Sequence, residues 1–268
     1  MSRIDDRFTE LVAHGRTGLI PFITAGDPLP QAMVPLMHAL VAAGADLIEL
    51  GVPFSDPMAD GPVIQHSSER AVARGVGLPQ ILEWVKAFRQ RDARTPIVLM
   101  SYMNPLEIRG VAAFAEMAVA AGVDGVLLVD CPIEEWAEVA PMREQGVQQI
   151  LLAAPTTTPQ RMVKICSAAA GFLYYVSFAG ITGADRVSLD AVRAGVAQAR
   201  QQAKVPVAVG FGIRGAAMAQ AIGEFADAVV IGSALVEHLA GETDEAGVCA
   251  AAHAFLAPIR IALDARRK

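Results

Sequence analysis

"GVAAFAEMAVAAGVDGVLLVD", residues 110–130, changes its period partway along. Its first part has the apolar pattern of a helix, and Ala-Gly at 121–122 then stops that pattern before the next element. "DGVLLVD" (124–130) is instead apolar on consecutive positions. A strand reads that way when helices cover both faces of a parallel sheet, because neither side meets water.

The same kind of run recurs along the chain as "GLIPFIT" (18–24), "DLIELG" (46–51), "PIVLMSY" (96–102), "QQILLAA" (148–154), "GFLYYVS" (171–177), "VPVAVGFG" (205–212) and "DAVVIGS" (227–233). Helical patterns separate them, including "PQAMVPLMHALVAAGA" and "LPQILEWVKAFRQRD", and "AAGAD" before the second run echoes "AAGVD" before the fourth. Eight strand–helix units fit a (β/α)₈ TIM barrel. Residues 1–16 supply an extra N-terminal helix, over 3–14, and 17–268 the barrel. No linker divides the chain, so one domain is expected. A doubly wound open sheet is the alternative, but the first βα turn has no G-x-G-x-x-G.

Composition narrows the function. A net charge of −6 and the lack of a Lys/Arg run argue against a nucleic-acid surface. Hydrophobic residues make up 53% of the chain and mean hydropathy is +0.40, as expected of many elements covered on both sides. Cys131, Cys166 and Cys249 form no C-x-x-C and read as reduced thiols of a cytoplasmic protein. The charged, amphipathic N-terminus reads as neither signal peptide nor anchor. Residues 165–184 carry no charge over a membrane-spanning length, but Gly171, Ser177, Gly180, Thr182 and Gly183 break them into helix end, strand and loop.

In a barrel of this kind chemistry belongs at the C-terminal strand ends. The last three ends are glycine-rich: "SFAGITG" with Gly180 and Gly183, "GFGI" with Gly210 and Gly212, and "IGS" with Gly232 and Ser233. Glycines bring backbone N–H groups close to a ligand, and donors of that kind cradle a phosphate. Taken singly, each glycine reads as a strand end. Arg186 and Arg214 lie nearby in sequence.

Lys86 and Lys164 fall in helices, Lys204 precedes the seventh strand and Lys268 is terminal. A Schiff-base lysine at the mouth is therefore not expected. The five histidines are isolated and none ends a strand, so no metal is expected. Carboxylates and aromatics remain: Asp27, Glu49, Asp60, Asp130, Phe22, Tyr174, Tyr175 and Phe211. Asp27 and Asp130 read as turn or helix-start chemistry. Glu49 lies within the second apolar run, where burial raises a carboxyl pKa and suits it to act as an acid near neutrality. A structural, salt-bridged Glu49 would need a basic partner, and the mouth is poor in those.

"LIPFITAGDP", "ADLIELGVPFSDPMADGPVIQ", "GITGAD", "GFGI" and "IGSALV" together resemble the α subunit family of tryptophan synthase, in order and over nearly the whole chain. The resemblance implies a carbon–carbon lyase that cleaves indole-3-glycerol phosphate to indole and glyceraldehyde 3-phosphate. It also implies an α₂β₂ complex with a β subunit that carries the pyridoxal phosphate, leaving this chain without a cofactor.

By the same resemblance Glu49 and Asp60 are the catalytic carboxylates, with Tyr174 beside them. Adjacent Tyr175 leaves the choice of ligand-facing tyrosine open. Phe22, Met100, Leu127, Tyr174, Thr182 and Phe211 would surround the indole. Gly183, Gly212, Gly232 and Ser233 would hold the phosphate. Pro53, Phe54, Asp56 and Pro57 would face the β subunit. Ile181 and Phe178 depart from the family's usual residues. Another phosphosugar barrel, such as an isomerase, a catalytically idle binding subunit and a stand-alone lyase are the alternatives.

Overall fold

A computed structural model describes residues 2–176, 189–210 and 212–265. In chain order its elements begin with α1 (Arg3–Ala13), β1 (Gly18–Thr24), α2 (Met33–Ala42), β2 (Ile48–Gly51), α3 (Pro62–Ala73), α4 (Leu78–Arg89) and β3 (Ile97–Ser101). Then follow α5 (Met103–Glu107), α6 (Val111–Ala121), β4 (Gly125–Leu128), α7 (Ala140–Glu144), β5 (Gln148–Ala153), α8 (Pro159–Ala168) and β6 (Leu173–Val176). The chain closes with α9 (Leu189–Gln202), β7 (Val207–Gly210), α10 (Ala216–Gly223), β8 (Ala228–Ile231), α11 (Ser233–Leu239) and α12 (Glu245–Asp264). The eight strands are parallel and close in sequence order, β8 pairing with β1. This is the expected barrel.

Continuous apolar runs become strands buried on both sides. Leu19, Ile23, Ile48, Leu50, Leu99, Val126 and Val209 join the outer core beneath the helices. Their alternates Ile20, Leu47, Val98, Leu127, Ile150, Tyr174 and Ala208 fill the barrel interior. The extra helix plugs the lower end. Ser2 caps it through a reciprocal pair with Asp5, and Ile4, Phe8 and Leu11 enter the interior cluster.

The "AAGAD/AAGVD" echo has a physical role at that lower end. Asp46, before β2, accepts a hydrogen bond from Leu19 N at 2.9 Å and one from Arg260 Nη1 at 3.0 Å. Asp124, before β4, accepts from Ile97 N at 2.8 Å, Arg89 Nη2 at 2.7 Å and Arg3 Nη1 at 2.8 Å. Asp227, before β8, accepts from Val207 N and Arg200 Nη2, both at 2.8 Å. Each aspartate satisfies the first free amide of the neighbouring strand and ties it to a helix arginine. Replacing Asp124 with Leu strands a desolvated Arg89 and a buried amide, so urea unfolding should show a loss of about 3–5 kcal/mol.

Helix α12 is long and apolar enough to cross a membrane by length and composition, a feature that the periodicity reading passed over. Here it packs on α2, α10 and α11, buries Val248, Ala252, Leu256, Ile259 and Leu263, and carries Arg260 to Asp46. The uncharged stretch at 165–184 begins in α8 and runs through β6; its part beyond residue 176 lies outside the described residues.

Candidate active site

Strand β2 carries Glu49 into the barrel. Glu49 lies level with Phe22 of β1 and Val98 of β3, and it is 1% exposed. Among the described residues, no hydrogen bond reaches its Oε1 and no arginine or lysine forms an ion pair with it. A carboxylate so placed loses its hydration without replacement. Burial first, then the charge of Asp60, pushes its pKa up to about 8. Glu49 is therefore a neutral acid at pH 7, not a salt-bridged structural residue.

The loop after β2 brings Asp60 back over the same mouth. Asp60 is half-buried, and its Oδ2 accepts a hydrogen bond from the Tyr102 hydroxyl at 3.0 Å. Burial raises its pKa and that hydrogen bond opposes the rise. The charge of Asp60 in turn adds to the rise at Glu49. Glu49, fully buried and without a donor at Oε1, holds the proton, while Asp60 has a hydroxyl to support its charge.

Helix α3 fixes the loop from its far side. Gln65 Nε2 donates to Asp60 O at 2.8 Å, and Thr24 and Ser67 share a hydrogen bond of 2.6 Å. Arg70 grips Asp27 with two hydrogen bonds of 2.8 Å, and Arg74 adds a third at 3.3 Å. Asp27 does close a turn, its N donating to Thr24 O at 3.1 Å, but its carboxylate is a buried ion-pair anchor for α3 that the sequence reading did not foresee, because two arginines one helical turn apart face it. Asp130 does accept at a helix start, from Met103 N at 2.8 Å, but on α5 of the neighbouring unit.

The tyrosine pair resolves by side. Tyr174 belongs to the interior cluster, with its hydroxyl seated against Gly210, where any Cβ would collide. Tyr175 belongs to the outer core, with its hydroxyl against Gly195 of α9. Burial, then the charges of Glu49 and Asp60, keeps the Tyr174 hydroxyl protonated far above its usual range.

Phe22, Gly51, Asp60, Met100 and Tyr102 line one narrow cleft, with Thr24, Val52, Ile64, Ser68 and Ser101. The Phe22 ring packs over Gly51 and against Gly232. Leu127 pairs with Met100 of β3 and Ile150 of β5 in the interior layer. Gly232 and Ser233 stand at the end of β8 and the start of α11, with Ser233 exposed. Gly212 is exposed, with a φ of 79° that favours glycine. Thr182, Gly183 and Phe211, together with Phe178, Ile181 and Arg186, lie outside the described residues.

Of the loop residues, Pro53 is buried, Phe54 and Pro57 are half-buried and Asp56 is exposed. The Phe54 ring packs on Tyr102 with centroids 5.2 Å apart. A roomier cavity of about 300 Å³ lies between the ends of β4 and β5 and α8, lined by Leu128, Cys131, Leu151, Arg161 and Ile165 among others. It contains neither carboxylate of the pair. Sequence reasoning overlooked Tyr102, although the end of the third run was among the positions that the barrel rule marks for inspection.

A family model described as "Tryptophan synthase alpha chain" matches residues 8–260. The chain is 60% identical, over 268 residues and 99% of each chain, to the tryptophan synthase alpha chain of Xylella fastidiosa (strain 9a5c). It is 60% identical over 267 residues to that of Xanthomonas oryzae pv. oryzae (strain PXO99A), covering 98% of this chain and 99% of the relative. Among solved structures, tryptophan synthase subunit alpha from Legionella pneumophila str. Paris superposes with a TM-score of 0.91 at 42% identity, over 99% of both chains. A structure of tryptophan synthase from M. tuberculosis, an open form with BRD0059 bound, superposes with a TM-score of 0.87 at 34% identity, over 98% of this chain and 99% of that one.

Proposed function

This chain belongs to the tryptophan synthase alpha chain family, and from that premise we propose that Glu49 and Asp60 carry its lyase chemistry. The reaction is cleavage of indole-3-glycerol phosphate to indole and glyceraldehyde 3-phosphate. The observation that carries the residue assignment is a buried Glu49, its Oε1 without a hydrogen-bond partner among the described residues, beside a half-buried, hydrogen-bonded Asp60 at one barrel mouth.

A retro-aldol cleavage needs an electron sink. The described lysines lie in α4, in α8 and ahead of β7, none at a C-terminal strand end. The indole ring must serve instead. Neutral Glu49 gives its proton to indole C3, which leaves a cation spread toward the ring nitrogen. Asp60 accepts a hydrogen bond from the ring N–H and stabilises that charge. Ionised Glu49 then takes the proton of the glycerol hydroxyl next to the ring. As that proton leaves, the C–C bond breaks, its electrons return to the ring and the aldehyde forms.

Tyr174, buried beside both carboxylates, packs against the substrate as a neutral hydroxyl. Phe22, Met100, Leu127, Thr182 and Phe211 enclose the indole, and Gly183, Gly212, Gly232 and Ser233 hold the phosphate, whose binding orients the bond to be cut.

The partner is a β subunit in an α₂β₂ complex, to which pyridoxal phosphate is confined. The loop after β2 suits that contact: Asp56 is exposed on it between half-buried Phe54 and Pro57, and buried Pro53 sets its path. The chain is read as one catalytic domain and as a cytoplasmic biosynthetic enzyme, consistent with three free cysteines. The test is indole release from indole-3-glycerol phosphate by the purified chain, with and without a β subunit. Turnover that rises with the β subunit supports this reading; no indole in either arm overturns it.

A further inference from the structure

Tyr102 stands directly after β3 as the residue before the first turn of α5, and it is 4% exposed. Its hydroxyl oxygen accepts a hydrogen bond from Ala59 N at 2.9 Å. A phenol has one proton, and the amide already occupies the oxygen's acceptor side. The proton is thereby committed to Asp60 Oδ2, 3.0 Å away. The chain Ala59 N–H, Tyr102 O–H, Asp60 carboxylate closes a small ring between the catalytic loop and the neighbouring strand end. Among the described residues nothing else engages the Asp60 carboxylate. Asp60 lines a cleft together with Phe22 and Met100.

We propose that Tyr102 is the positioning residue for Asp60: its hydroxyl fixes Oδ2 so that Oδ1 is presented to the indole N–H. This rests on the lyase reading above and adds a residue to it. The hydroxyl acts on orientation and on charge together. Donation favours the ionised carboxylate, the form that must meet a developing cation. The Phe54 ring holds the phenol from the loop side, so loop and hydroxyl are set as one unit. The ionisable groups around the pair are Glu49 from β2, Tyr174 from β6 and Asp130 after β4. Glu49 and Tyr174 are neutral when Asp60 is charged. Burial first, then the charge of Asp60 and to a lesser degree that of Asp130, keep the Tyr102 phenol protonated. Asp185 and Arg186 lie outside the described residues.

Tyr102→Phe keeps the ring and its packing on Phe54 and removes only the hydroxyl. The full chain with its β subunit is assayed for indole release across pH 5–9, with parent and variant side by side so that substrate phosphate titration cancels. The proposal expects kcat to fall by roughly ten- to hundredfold with KM changed far less. It also expects the acid limb of kcat/KM to move up by about one pH unit, because Asp60 loses a donor to its charged form. Gln65→Leu is the structural control. It cuts the clamp on Asp60 O and leaves the carboxylate untouched, so its acid limb should stay with the parent's.

Thermal unfolding shows whether each variant is folded, and calorimetry with a non-cleavable indole alkyl phosphate reads binding independently of turnover. A folded Tyr102→Phe that binds this probe with the parent's pH dependence overturns the proposal. So does one whose rate falls with an unmoved acid limb, since that marks a merely structural tyrosine. A parent chain without turnover would overturn the lyase reading instead.

Discussion

Glu49→Gln should reduce kcat for indole release by roughly 10²- to 10⁴-fold while the barrel stays folded. The amide has nearly the carboxyl's shape but cannot give a proton to indole C3 or take one from the glycerol hydroxyl, so both halves of the proton cycle fail. Loss of fold is not the reason. The Glu49 pKa stands near 8 in the folded chain and 4.5 is its ordinary value. Between those values the folded state holds a proton that the unfolded state has released, so this residue's contribution to stability declines as pH rises from 4.5 towards 8. Gln carries no such linkage. Thermal midpoints at pH 5 and 8 should therefore fall less for Glu49→Gln than for the parent, and a variant that keeps near-parent turnover would remove Glu49 from the mechanism.

Asp60→Asn should cost roughly 10²- to 10³-fold in kcat, the scale of losing one charge aimed at a transition-state cation. Asn can still accept a hydrogen bond from the indole N–H through its oxygen, so binding of the indole probe should weaken far less than turnover. A second consequence follows from the coupling. The charge of Asp60 is the smaller of the two causes that raise Glu49, burial being the larger. Without that charge the residual activity should lose its alkaline limb at lower pH than the parent does. Equal losses in binding and turnover would make Asp60 a recognition residue only.

The barrel was legible because a strand covered on both faces must be apolar on consecutive positions, and eight such runs at regular spacing leave few alternatives. Glu49 was legible for the converse reason: it is a charged side chain inside one of those runs. The "AAGAD" echo was visible, but its cause was not, since the amide that Asp46 satisfies belongs to β1 and the arginine to α12. Asp27 followed local turn chemistry on paper, and in the fold Arg70, 43 residues on, also captures its carboxylate. The same separation hid Tyr102. Its partner Asp60 lies 42 residues away, and the pairing exists only because a proline-punctuated loop turns back across the mouth. Local patterns reveal what a residue is buried against; contacts made by returning loops require the closed barrel.

The pH dependence of kcat/KM for indole release, followed from pH 5 to 10, tests the central claim most directly, because it reports the ionisations of the free enzyme. A neutral Glu49 acting as the acid predicts activity that declines as pH rises through about 8, with the limb displaced downward in Asp60→Asn. A plateau that continues through pH 9, or an identical limb in a fully active Glu49→Gln variant, would contradict it.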